Sequence, residues 1–110
     1  EVHPPSTLYH RDDKEVPGDI KQYEKLTIRL IQLAMRAQKP VVATGNVRYL
    51  DQSDAIVRMI LFLGGRPRRF DDHAHSLYLR TTREMLDEFR FLPEEIARKI
   101  VIDNPNRLAN

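Results

Sequence analysis

Cysteine is absent from the 110-residue chain. That excludes a disulfide framework, a thiolate nucleophile and a zinc site built on sulfur, and it fits a reducing cytoplasm. Long apolar runs are absent too. Stretches such as Met59-Ile60-Leu61-Phe62-Leu63 fall far short of the roughly 20 residues that a membrane span needs. No charged segment followed by an apolar one opens the chain, so no secretory signal is legible. Charge of one sign is also scarce: 18 Lys and Arg against 16 Asp and Glu leave a net charge of +2. Total charge therefore gives no argument for nucleic-acid binding, although the pI is about 9.1. There is no internal repeat, low-complexity tract, nucleophile–base pair, Walker loop or dinucleotide fingerprint.

What remains is 41% hydrophobic and 31% charged residues, enough for one globular domain and too few for two. Residues 1–18 read as a strand end and a loop with several prolines. Asp19 with Gln22 suggests a capping box, followed by Tyr23, Leu26, Leu30, Leu33, Ala34 and Ala37 at helical spacing. Lys21, Lys25, Arg29 and Arg36 fall on the wet face, and Lys39-Pro40 ends the helix. Val41 to Thr44, apolar without alternation, reads as a strand covered on both faces. Asp51 is a helix cap with Asp54 in the first turn, and Ala55, Ile56, Met59, Ile60 and Leu63 form the expected buried stripe before a Gly64-Gly65 stop. Residues 64–80 are irregular, with Leu77-Tyr78-Leu79 as a short extended piece. Thr81 and Glu84 make a capping box for a helix whose apolar face is Met85, Leu86 and Phe89. Pro93 opens another helix that buries Ile96, Ile100 and Val101. Asn104-Pro105 reads as a further helix start, with Asn104 as the cap. The fold class is α/β, and both ends look cut, as in part of a longer protein. A small protein with frayed ends is the alternative.

Three constellations could carry chemistry. Asn46 and Arg48 lie two apart where the strand hands over to a loop, the place where α/β folds gather ligands. An Asx-turn and a solvated arginine are the bland alternative. Arg has donors and no acceptor, so Arg48 cannot ligate a metal but can bind phosphate or occupy the space of a cation. Asp71, Asp72, His73 and His75 could grip a divalent metal, or simply form a solvated loop. Arg66, Arg68 and Arg69, held extended by Pro67 and next to Phe70, could contact nucleic-acid phosphates, or be neutralised by the adjacent aspartates. His3 and His10 read as surface or packing residues.

The segment Pro40-Val41-Val42-Ala43-Thr44-Gly45-Asn46-Val47-Arg48-Tyr49-Leu50 resembles the end of the PHP (polymerase and histidinol phosphatase) domain in bacterial replicative DNA polymerase III alpha subunits of the PolC type. Glu1-Val2-His3-Pro4-Pro5, Leu79-Arg80-Thr81-Thr82-Arg83-Glu84-Met85-Leu86-Asp87-Glu88-Phe89 and Asp103-Asn104-Pro105-Asn106-Arg107-Leu108-Ala109 resemble the same family in the same order. Each motif alone is weak; four in series are specific.

The resemblance implies a distorted (β/α)7 barrel, of which residues 1–110 would be the closing, helix-rich part. Its divisions are 1–18, 19–63, 64–80 and 81–110, the last leading to the next domain. The parent would be a cytoplasmic DNA-directed DNA polymerase with an inserted 3′–5′ exonuclease. It would use Mg2+ at sites outside this stretch. The partners would be the rest of that chain, namely the N-terminal part of the PHP domain, the exonuclease and the palm, together with DNA, and no membrane. The family usually carries Asn-x-His at this strand end, and metal-dependent members Asp-x-His. Asn46 matches, but Arg48 stands in place of the histidine, and Tyr78 stands where a histidine is frequent. The Arg66–His75 loop lacks the longer Gly- and Asn-rich form. The implied role is structural, with a degenerate metal site, no catalytic residue and no cofactor in this stretch. A metal-dependent PHP phosphoesterase, using Asn46 with His73 and His75, and a DNA-binding module are the other readings.

Overall fold

A computed structural model describes residues 1–8, 16–63 and 76–110. The described residues form five α-helices: α1 (Val16–Arg36), α2 (Ala55–Leu63), α3 (Thr82–Glu88), α4 (Glu94–Arg98) and α5 (Asn104–Ala109). Short 3-10 turns occupy Pro5–Leu8 and Gln52–Asp54. Among the described residues, strand structure is confined to two parallel bridges, Val2 with Ala43 and Tyr49 with Tyr78. Parallel pairing requires a crossover between the partners, and each bridge has one: α1 lies between the first pair and α2 between the second. The described residues are thus helix-rich with few strand contacts, and the expected strand Val41 to Thr44 is reduced to a single bridge.

That strand is held on both edges. On one edge the Val2 N–H donates to the Val42 carbonyl at 2.9 Å, and the Thr44 N–H to the Val2 carbonyl at 2.9 Å. The other edge meets a helix. Between α4 and α5 the backbone stays helical but widens into a π turn over Lys99–Asp103, and the Asn104 N–H bonds the Lys99 carbonyl five residues back. Pro105, next in line, has no N–H to offer Ile100. The Ile100 carbonyl instead accepts the Ala43 N–H at 2.8 Å. Asn104 is only 5% exposed, and its side-chain Nδ2 donates to the Val41 carbonyl at 2.7 Å. The expected helix cap at Asn104 is therefore corrected. The chain is already helical at Asp103, so no fresh start needs capping, and the amide serves the strand.

The core gathers Val2, Ile31, Val41, Phe89, Leu92, Ala97 and Ile100, with Met85, Leu86, Ile96 and Val101 packed against it. The apolar faces expected for α3 and α4 are thus observed. The capping box is present too: the Thr81 N–H donates to Glu84 Oε2 at 2.7 Å and the Glu84 N–H to Thr81 Oγ1 at 3.3 Å. Helix α1 departs in three ways. It begins at Val16, so Asp19 lies inside the helix rather than at its start; Pro17 is tolerated in the first turn, where its missing N–H is unneeded. Its buried face centres on Thr27 and Ile31, with Tyr23 and Ala34 half-buried, while Leu26, Leu30 and Leu33 stay exposed. Its end is a Schellman motif: Lys39 N–H to Ala34 carbonyl at 2.9 Å, Gln38 N–H to Met35 carbonyl at 3.1 Å, and Gln38 left-handed at φ 53.

Helix α2 departs further. Ala55 of the expected buried stripe is 1% exposed, but Ile56 and Ile60 of that stripe, with Val57 and Leu61, are 56% to 75% exposed. A helix apolar on nearly all sides belongs in an interior. Among the described residues nothing supplies one. The Gly64-Gly65 stop lies outside the described residues.

Candidate functional site

The site is built where Val41–Thr44 ends. Tyr23 of α1 donates its hydroxyl to the His3 carbonyl at 2.8 Å, which fixes the N-terminal segment beside this strand. His3 Nδ1 then lies 3.0 Å from the Thr44 carbonyl. A carbonyl oxygen only accepts, so Nδ1 carries the proton and donates. In the neutral ring Nε2 keeps the lone pair, 3.7 Å from Glu1 Oε1. Thr44 Oγ1 donates to Glu1 Oε2 at 3.1 Å and ties the strand to the N-terminal residue. The turn that follows needs no left-handed glycine. Gly45 instead leaves room for Val47, whose Cγ2 would stand 3.3 Å from a Cβ there.

Beyond the turn the Arg48 N–H donates to the Leu77 carbonyl at 2.8 Å, and the Leu79 N–H to the Tyr49 carbonyl at 3.0 Å. Tyr49 turns its hydroxyl oxygen back to accept the Leu77 N–H at 3.2 Å. Burial raises its pKa above 10.0, opposed by that N–H and by Arg58 and Arg80. The Arg48 side chain lines a cleft of about 380 Å³ with Tyr49, Asp54 and Arg58. Asn46 is exposed and is not among the residues that line that cleft. Among the described residues no three His, Cys, Asp or Glu side chains converge as metal ligands. Arg66, Arg68, Arg69, Asp71, Asp72, His73 and His75 lie outside the described residues.

Two features were not legible in the sequence. His3 belongs to the strand end, because the Val2 pairing across 41 residues brings it to Thr44. No local pattern carries that pairing. The second is a buried cluster. The Arg80 side chain is 3% exposed, and its Nε lies 3.4 Å from Glu88 Oε1. Arg80 Nη2 donates to Ser6 Oγ at 2.8 Å, and Ser6 Oγ donates to Glu88 Oε1 at 2.7 Å. The guanidinium carbon also sits 4.6 Å from the Tyr78 ring centroid, a cation–π contact. Tyr78 therefore shelters an arginine. The cluster pins the Pro5–Leu8 turn to α3 and borders a cleft of about 710 Å³ that Glu24, Glu84 and Asp87 make acidic.

No family model matches the chain. Its whole length is similar to a segment of bacterial proteins named DNA polymerase III PolC-type. The identity is 44% over 114 residues with the relative from Staphylococcus epidermidis, 40% over 116 with that from Bacillus cereus and 38% over 112 with that from Bacillus subtilis. In each case all of this chain is covered, and it spans about 8% of the length of the relative.

Proposed function

We propose that these residues are a structural part of a bacterial replicative DNA-directed DNA polymerase of the PolC type, the closing portion of its PHP domain, with a degenerate metal site at Asn46 and Arg48. The observation that carries this reading is similarity along the entire chain to relatives of that name, with only 8% of their length used. The uncovered apolar residues of α1 and α2 suit a segment completed by neighbouring chain. The two helical crossovers between parallel bridges suit a piece of a β/α barrel. In this reading the polymerase and its 3′–5′ exonuclease act from other domains in the cytoplasm, the partners are those domains and DNA, and Mg2+ is bound in the polymerase site rather than here.

The donor set at the strand end does not fit a PHP metal. Asn46 offers an amide oxygen and His3 one nitrogen, but Arg48 brings a positive charge with no lone pair. Arg48 therefore serves as a fixed charge in place of a metal ligand. The reading is tested in the natural full-length protein. Primer extension with nucleotides and Mg2+ is expected, and it should survive Arg48→Ala, while Arg48→His should raise Mn2+ affinity at least tenfold. Loss of extension in Arg48→Ala with the fold intact would overturn the structural role. Manganese-dependent hydrolysis of p-nitrophenyl phosphate by the wild type, lost on mutating Asn46, would favour the phosphoesterase instead.

A further inference from the structure

A cleft of about 290 Å³ opens between the end of α1 and the α4–α5 segment, and neither Asn46 nor Arg48 lines it. Its floor is aliphatic, formed by core residues Ile31, Val41 and Ile100 at 3%, 9% and 2% exposure. Its rim carries Lys39, Lys99 and Arg107, and no carboxylate lines it. Asp103, four residues from both Lys99 and Arg107, is not in the lining, and none of the three cations forms an ion pair with a described carboxylate. The walls are fixed. The Schellman closure at Gln38 sets Lys39 against the cleft, and the Asn104–Val41 hydrogen bond clamps the strand to the helix that carries Lys99 and Arg107.

We propose that this cleft binds an acidic peptide segment of a partner protein, with one apolar side chain on the aliphatic floor and flanking carboxylates on Lys39, Lys99 and Arg107. The volume suits a single leucine- or phenylalanine-sized anchor. Cations without a described carboxylate partner, set around an aliphatic floor, select negative flanks and reject basic ones. The floor offers no aromatic face, the feature on which single-stranded nucleic acid stacks its bases. A peptide therefore suits the cleft better than a nucleotide. This surface is independent of the polymerase reading, since it follows from local charge and shape alone.

The test uses the natural full-length protein and three labelled probes in fluorescence anisotropy: a hexapeptide with one leucine among glutamates, the same peptide with lysines for glutamates, and a twelve-residue oligo-dT. Saturable binding of the acidic peptide is expected, at least tenfold tighter than of the basic one. The double change Lys99→Glu with Arg107→Glu should weaken it at least tenfold while leaving oligo-dT binding unchanged. If the reversed pair impairs folding, Lys99→Gln with Arg107→Gln replaces it, with an expected loss of at least threefold. Equal binding of both peptides, binding insensitive to these changes, or oligo-dT competing away the acidic peptide through the same residues would overturn the proposal.

Discussion

Asn104 reaches across 63 residues of sequence to give its side-chain amide to the Val41 carbonyl at 2.7 Å, inside the core. Removing it leaves a buried acceptor without its donor. Asn104→Ala is expected to cost about 2 kcal/mol. Asn104→Asp, which sets an oxygen against the carbonyl, should cost more. Urea unfolding of the two variants checks the order, and equal stability of Asp and Asn at 104 would refute it.

The Ser6–Arg80–Glu88 cluster makes a second prediction. With Arg80 at 3% side-chain exposure and Glu88 at 22%, truncating the acid strands a buried charge. Glu88→Ala should cost about 2–3 kcal/mol, somewhat below a fully buried pair because water reaches the glutamate. Replacing Arg80 with Met in the same background should recover part of that loss in thermal melts.

Gln38 holds a left-handed backbone that glycine adopts freely. Gln38→Gly should therefore stabilise α1 by about 0.5–1 kcal/mol, visible as a higher melting temperature. A lower one would mean that the Gln38 side chain matters more than its backbone.

At the start of α3, hydrogen bonds from the Thr81 backbone and side chain hold the Glu84 carboxyl below its usual 4.5. A depressed carboxylate stabilises the folded state above its unfolded pKa, and that stabilisation fades as pH falls below 4.5 through the lowered native value. Amide exchange at Glu84 should quicken in that range. Thr81→Ala keeps the backbone N–H, so it should reduce the pH effect without abolishing it, and it should cost about 1 kcal/mol through the lost cap.

The exposed apolar side chains of α2 should drive association of the isolated 110-residue chain. Ile60→Lys with Leu61→Glu should lower its light scattering without loss of helical circular dichroism. Unchanged scattering would place the association elsewhere.

Much of this was readable beforehand, and the boundary has a physical cause. The Thr81–Glu84 cap, the apolar face of α3 and the helix after Pro93 depend on neighbours within one turn, so spacing reveals them. The buried face of α1 does not. Leu26, Leu30 and Leu33 keep as good a helical period as Thr27 and Ile31, and only tertiary packing chooses between them. His3 and Arg80 were passed over for the same reason, since both acquire their partners from residues far away in the chain. Asn104 was misread because a cap and a clamp use the same amide, and the π turn before it is invisible to residue preference.

Pro105 has a consequence beyond its own turn. An ordinary residue there would let the helix close on itself and satisfy its own oxygen. The imino acid denies it that proton, so the helix must borrow one from outside, and Ala43 is the lender. An oxygen left without a helical donor thus helps to join two distant stretches of chain, and Pro105→Ala would offer it a partner within the helix, leaving the Asn104–Val41 bond and the core to hold them.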